Sequence, residues 1–216
     1  MIDESFCSDD PFEVSEELTR REIISDKALN NDNGLTNKDD SVLLALLKTC
    51  TKKKDIELGA RVHEDLVKRG VLENNPYLAS SLISLYAKCG ILAKAQDALR
   101  ELCVRNVASW NALISGYTRH GNGDEAMEFF ERMHSEGVSP NAVTFICMLK
   151  ACGNAGVINK GIEIHDEILR RGFLKHNLVL GNALIDMYMN FSMLIEAQHV
   201  FDNLTTHDIT SWNVLI

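Results

Sequence analysis

The run Ser109-Trp110-Asn111-Ala112-Leu113-Ile114 returns 102 residues later as Ser211-Trp212-Asn213-Val214-Leu215-Ile216. The same offset carries Cys50 onto Cys152, His63 onto His165 and Asn75 onto Asn177. Self-similarity at a fixed spacing restricts the chain to a repeat array, in which each unit buries its apolar face by stacking on its neighbours. Functional side chains are therefore to be sought at positions that recur once per unit.

An Asn or Asp closes each of five segments: Asn75, Asn106, Asn141, Asn177 and Asp208. Starting from Asp40, the units are 40–75, 76–106, 107–141, 142–177 and 178–208, of 36, 31, 35, 36 and 31 residues, followed by the start of a sixth at 209–216. In this register the twentieth residue is always small: Gly59, Ala95, Ala126, Gly161 and Ala197. It opens an apolar stripe such as Ala126, Phe129, Phe130, Met133, or Ala197, Val200, Phe201, Leu204. An earlier stripe precedes it in each unit, as in Leu43, Leu46, Leu47, Cys50, then Trp110, Leu113, Ile114, Tyr117, then Phe145, Met148, Leu149, Cys152. Both follow the i, i+3, i+4, i+7 rule of an amphipathic helix. Gly90, Gly121-Asn122-Gly123, Gly153 and Gly156 break the chain between stripes, and Gly70, Gly137 and Gly172 follow the second ones. Each unit is thus a helix-turn-helix with a short loop, and the small twentieth residue suits close approach of a neighbouring helix. The predicted fold is an all-α solenoid of ten full helices and part of an eleventh.

The formal net charge is -9, but it is unevenly spread. Residues 1–40 hold 12 acidic and 4 basic side chains, leaving 19 acidic and 18 basic on the nearly neutral remainder. The acidic start, 1–39, reads as a mostly disordered tail with a weak helix around Pro11 to Ile24. It carries neither a secretory apolar run nor the Arg-rich, acid-poor character of a transit peptide. No apolar stretch reaches the roughly 20 residues of a membrane helix. The six cysteines, Cys7, Cys50, Cys89, Cys103, Cys147 and Cys152, include no Cys-x-x-Cys pair and read as reduced core residues. His63 and His165 read as packing residues.

Catalytic signatures are missing. A zinc deaminase needs His-x-Glu followed by Pro-Cys-x-x-Cys, and neither occurs. Gly-x-x-x-x-Gly-Lys and Gly-x-Ser-x-Gly are absent too. The reading is a non-enzyme with no cofactor and no metal site. The sequons at Asn190 and Asn203 fall in or beside helices and are discounted.

Units of 31, 35 and 36 residues carrying Ser-Trp-Asn-Ala-Leu-Ile-Ser-Gly-Tyr (109–117), Met-Leu-Lys-Ala-Cys (148–152), Gly-Asn-Ala-Leu-Ile-Asp-Met-Tyr (181–188) and Leu-Tyr-Ala-Lys-Cys-Gly (85–90) resemble pentatricopeptide repeats. More narrowly, they resemble the land-plant subclass that alternates standard, long and short repeats. The resemblance covers residues 40–216 and implies a right-handed superhelical solenoid that binds single-stranded RNA in mitochondria or chloroplasts, one base per repeat. It further implies organellar RNA processing, with site recognition for cytidine-to-uridine editing and an editing factor or deaminase supplied in trans. DNA and membranes are not expected partners.

In that family the fifth and last residues of a repeat choose the base. Carried over, the pairs are Ser80 with Asn106, Asn111 with Asn141, and Asn182 with Asp208, implying adenine, a pyrimidine with cytosine favoured, and uracil; Asn213 stands alone in the sixth unit. The long units depart from the pattern, because Leu44 and Ile146 are apolar fifth residues beside Asn75 and Asn177, so their bases are unreadable, their contribution is mainly spacing, and Asn75 and Asn177 are lesser base-reading candidates. Asn111 lies off the apolar stripe and Asn is a mediocre helix former, so folding alone does not call for it. A carboxamide both donates and accepts, as reading a base edge requires. A plainer role stands beside this one: Asn and Asp before a helix are favoured N-caps worth about 1 kcal/mol. Lys68, Arg69, Arg170, Arg171 and Lys175 near the ends of second helices are candidates for phosphate contact or for compensating helix dipoles. Array ending inside a helix at Ile216 is expected to belong to a longer one. The competing function is a protein-interaction scaffold of the tetratricopeptide sort, whose period stays near 34 residues.

Overall fold

The computed structural model describes residues 37–72 and 75–215. The acidic tail up to residue 36, with Cys7 and the stretch where a weak helix is expected, lies outside the described residues. Asp40–Ile216 forms one compact unit, and the following concerns that unit and the helix leading into it.

Among the described residues there are eleven α-helices and no strand. They are α1 (Asn37–Lys53), α2 (Ile56–Lys68), α3 (Pro76–Lys88), α4 (Leu92–Arg100), α5 (Val107–Arg119), α6 (Gly123–Ser135), α7 (Ala142–Ala155), α8 (Ile158–Arg170), α9 (Leu178–Asn190), α10 (Leu194–Asp202) and α11 (Ile209–Leu215). A 3-10 turn at Phe173–His176 leads into α9. The helices alternate as first and second arms of hairpins. First arms form a continuous row, α3 on α5, α5 on α7, α7 on α9 and α9 on α11, while α4, α6 and α8 each pack on their own first arm, and α4 and α6 also reach the next. This is a helical solenoid. α1 begins at Asn37, three residues ahead of Asp40.

From α3 onward, each first arm starts where a short polar side chain can take up free backbone N–H groups. Asn75 accepts from the amides of Tyr77 at 3.1 Å and Leu78 at 3.2 Å, and Pro76, which has no N–H to satisfy, follows it. Asn106 accepts from Ser109 at 2.8 Å, Asn177 from Leu180 at 3.0 Å and Asp208 from Ser211 at 2.8 Å. Asn141 and Thr144 form a reciprocal capping box, with both bonds at 3.1 Å.

First arms end in a shared way. The fifteenth residue of each unit turns left-handed, at Lys54, Gly90, Gly121, Gly156 and Ser192. The next amide reaches back to the last turn, as from Ile91 to the Tyr86 carbonyl at 2.9 Å and from Met193 to Tyr188 at 2.9 Å. That six-to-one bond is a Schellman closure, which glycine fits without strain. Lys54 and Ser192 take it up without being glycine.

Both apolar stripes are buried throughout, each large side chain contributing about 1.5–3 kcal/mol of transfer free energy. The small twentieth residues are buried, and Gly59 and Gly161 lie where a second arm meets the first arm of the following hairpin. A Cβ on Gly161 would sit 2.9 Å from Met187 Sδ, and one on Gly59 would run into Leu85.

Two expectations need correction. His63 and His165 do more than pack: His63 Nδ1 shares a 3.0 Å hydrogen bond with the Tyr86 hydroxyl, and His165 Nδ1 a 2.8 Å bond with that of Tyr188. Each ties a second arm to the next first arm. Burial pushes both phenols up and His165 down. The cysteines are not uniformly core residues either. Cys50 and Cys152 are buried, with burial pushing Cys152 to about 11, but Cys103 is exposed in the loop after α4.

Candidate nucleic-acid interface

Along the row of first arms runs an open groove of about 780 Å³, lined by Ser80, Asn111 and Asn141 together with Lys48, Thr51, Lys52, Ser84, Lys88, Ala108, Ser115 and Val143. Ser80 on α3 and Asn111 on α5 therefore face one space, as do the fifth and last residues of the unit that begins at Val107. Asn182 and Asp208 lie further along the row, on α9 and at the start of α11.

The fifth and last side chains meet in two of the three polar pairs. Asn111 Nδ2 donates to Asn141 Oδ1 at 3.0 Å, and Asn182 Nδ2 to Asp208 Oδ1 at 3.4 Å. The contact arises because the cap at the start of one first arm stands beside the second turn of the preceding one. Asn111 and Asn182 are each 9% exposed, so the amides are held rather than solvated. Ser80 does not join Asn106; its hydroxyl donates to the Tyr77 carbonyl at 3.2 Å. Asn213 is exposed on α11. Among the apolar-fifth units, Asn75 Nδ2 is taken by Asp40 Oδ2 at 2.7 Å, and Leu44 and Ile146 are half-buried.

Capping and pairing together decide which atoms remain. Asn141 Oδ1 accepts from the Thr144 amide and from Asn111, which leaves its Nδ2 as a free donor among the described residues. Asp208 Oδ1 is used in the same way by the Ser211 amide and Asn182, and its second oxygen remains an acceptor. The Ser211 amide and hydroxyl hold the Asp208 carboxyl below the usual carboxylate range, so it is ionised at neutral pH. One site thus offers an N–H and the other an O⁻.

Two of the five candidate cations near the ends of second arms are committed elsewhere, while Lys68, Arg170 and Lys175 line no part of the groove. Arg69 pairs with Asp65 at 2.8 Å, and Arg171 with Glu167 at 2.5 Å while lying over the Phe145 ring. The groove instead presents Lys52 and Lys88, each the thirteenth residue of its unit, with Lys48 nearby. Arg119 occupies the same position in the next unit. Sequence reading also passed over the second residues, where Tyr77 is 74%, Val143 52% and Val179 65% exposed. A large apolar side chain left in the open at the same position of three units is a surface on which a flat ring can rest. The signal was present as a recurring position, but periodicity marks only what is buried.

The family of pentatricopeptide repeats matches at residues 105–154 and again, as a single repeat, at 143–173. The chain is 33% identical over 196 residues to the chloroplastic pentatricopeptide repeat-containing protein At4g25270 of Arabidopsis thaliana, covering 90% of this chain and 37% of that one. The chain carries pentatricopeptide repeats. The putative mitochondrial family member At3g13770 of the same plant is 36% identical over 171 residues, 79% of this chain and 27% of the relative. The repeats described here thus span about a third or less of the length of these curated relatives. In fold they are similar to the pentatricopeptide repeat protein PPR10 from maize, with a TM-score of 0.61 at 21% identity over 94% of this chain and 28% of that one. They are also similar to the pentatricopeptide repeat domain of the Arabidopsis protein-only RNase P 1, crystallised with tRNA, with a TM-score of 0.60 at 15% identity over 81% of this chain and 95% of that domain.

Proposed function

We propose that this chain binds single-stranded RNA sequence-selectively in a plastid or mitochondrion, with alternating standard, long and short repeats each facing one nucleotide. The carrying observation is that fifth and last side chains are hydrogen-bonded to each other in two units, Asn111 with Asn141 at the wall of the groove and Asn182 with Asp208 further along the row of first arms, with a different free atom in each pair. Asn141 offers an N–H, which suits the unprotonated ring nitrogen N3 of cytosine; Asp208 offers an ionised oxygen, which suits the N3–H of uracil. Ser80 with Asn106 faces adenine by the family's code. The intervening unit, with Ile146 and Asn177, contributes mainly spacing, as does the unit with Leu44 and Asn75; the code names no base for either, and Asn177 and Asn75 are their candidate base contacts. Asn213 begins a further reading position. Tyr77, Val143 and Val179 flank the bases, and Lys52, Lys88 and Arg119 meet phosphates. Maize PPR10 has been crystallised with an 18-nucleotide psaJ RNA element, which supports the reading through a shared fold.

The role that follows is recognition of a site in an organellar transcript, with cytidine-to-uridine editing by a deaminase in trans as the finer assignment. Three readable repeats at about 1–3 kcal/mol each stand against an association cost of about 4–15 kcal/mol, so this chain binds weakly alone. The test is selection from randomised single-stranded RNA. Enrichment of adenine, pyrimidine, any base, uracil, from 5′ to 3′, is the expected result. Capture of peptides with indifference to RNA would place the chain among interaction scaffolds instead.

A further inference from the structure

We infer that the hydroxyl at the third position of the following repeat, Thr144 or Ser211, is a positioning group for the base-reading carboxamide, and that the charge of the capping residue decides whether it acts. The inference rests on the base-reading proposal above. Thr144 Oγ1 donates to Asn111 Oδ1 at 2.6 Å and lies 3.2 Å from Asn141 Oδ1. Its own lone pair accepts from the Asn141 amide at 3.1 Å. A hydroxyl has one proton, and the shorter contact is to Asn111. With Nδ2 bonded to Asn141, Asn111 is held at both ends of its amide. Turning the carboxamide over would set its oxygen against Asn141 Oδ1, so a single orientation faces the groove.

The second pair has the same parts and a different wiring. Ser211 Oγ donates to Asp208 Oδ1 at 2.9 Å and accepts from the Asp208 amide at 3.3 Å. Asn182 Oδ1 is buried without a hydrogen-bond partner, and its Nδ2 has only the 3.4 Å contact to Asp208. An ionised carboxylate is a stronger acceptor than a neutral amide oxygen, so Asp208 takes the proton that an Asn would leave for the fifth residue. Where the fifth residue is no carboxamide, as at Ser80, the matching hydroxyl of Ser109 turns to the Asn106 carbonyl at 2.8 Å. The capping residue therefore acts twice, by the atom it presents and by where it sends its neighbour's proton.

The test compares the whole chain with its Thr144→Val and Thr144→Ser forms on two sets of four RNAs, one set differing only at the nucleotide facing Asn111 and Asn141, the other only at the nucleotide facing Asn182 and Asp208. Losing one hydrogen bond of ordinary strength should reduce pyrimidine-over-purine discrimination there about fivefold in Thr144→Val. Thr144→Ser should keep it, and discrimination at the nucleotide facing Asn182 should not move in either. In the RNA-free protein, the Asn111 side-chain amide protons should exchange with solvent at least about fivefold faster in Thr144→Val than in Thr144→Ser. Discrimination that survives Thr144→Val, or an even loss at every nucleotide with unchanged amide exchange, overturns the inference while leaving base reading intact. An unaltered chain that does not discriminate at that nucleotide overturns base reading and the inference together.

Discussion

Replacing Asn141 with Asp changes one polar group and leaves the helix start intact, because Asp caps as well as Asn. In the structure Oδ1 of Asn141 is occupied by the Thr144 amide at 3.1 Å and by Asn111 Nδ2 at 3.0 Å, so Nδ2 is the atom left to meet a base under the proposed reading. A neutral hydrogen bond from it to cytosine N3 contributes about 1 kcal/mol, roughly fivefold in favour of cytosine over uracil. In Asn141→Asp that donor becomes a carboxylate oxygen, which repels cytosine N3 and accepts from uracil N3–H. Charged hydrogen bonds contribute about 1.5–3 kcal/mol, and the half-exposed site calls for the lower end of that range. The swing is about 2.5 kcal/mol, roughly sixtyfold in the cytosine-to-uracil ratio. Equilibrium binding to two RNAs differing at this one nucleotide measures it, and taking the ratio cancels the added negative charge. If Asn141 serves only as a cap, the ratio will stay constant while the melting temperature also holds, and the assignment of a reading role fails.

Further expectations concern charge, backbone and pH. Lys88→Ala should weaken binding to all RNA sequences alike and flatten the plot of log affinity against log salt by about 0.7, the contribution of one phosphate on a single strand; a loss confined to one base identity would contradict this. Ser192→Gly and Lys54→Gly should each stabilise the fold by about 0.5–1 kcal/mol, since a left-handed non-glycine costs about 1–2 kcal/mol and glycine's added unfolded-state entropy offsets part of the gain; thermal melting decides. Because burial lowers the pKa of folded His165, the unfolded chain binds the proton first, so stability should fall as pH drops through about 6.5, the ordinary histidine value. His165→Gln should remove that part of the pH dependence of melting.

Much of the fold was legible because burial leaves a period. Trp110, Leu113, Ile114 and Tyr117 announce a helix face, and the recurring Asn before each stripe announces its start. What was not legible depended on which side neighbours leave open. Nothing in the spacing of Tyr77, Val143 and Val179 distinguishes an uncovered apolar position from a core one until the row of first arms is seen. Lys52 and Lys88 look like ordinary last-turn cations, and Arg69 and Arg171 looked equally suited to phosphate before Asp65 and Glu167 were found beside them. The fifteenth-residue turn was half visible: Gly90, Gly121 and Gly156 mark it, but Lys54 and Ser192 conceal it. The joining of Asn111 to Asn141 was beyond reach, since it needs the rise of one hairpin over the next.

A side chain that must start a helix has a narrow choice of chemistry. At Asn75, Asn106, Asn141, Asn177 and Asp208 the acceptor has to reach an amide two or three residues ahead, which short polar side chains do and Gln, Glu, Lys or Arg do not. Any retargeting at these sites is written in an alphabet of about four letters. Wider variation is open to the fifth residue, which carries no such duty, and so the two halves of each pair are free to diversify at unequal rates.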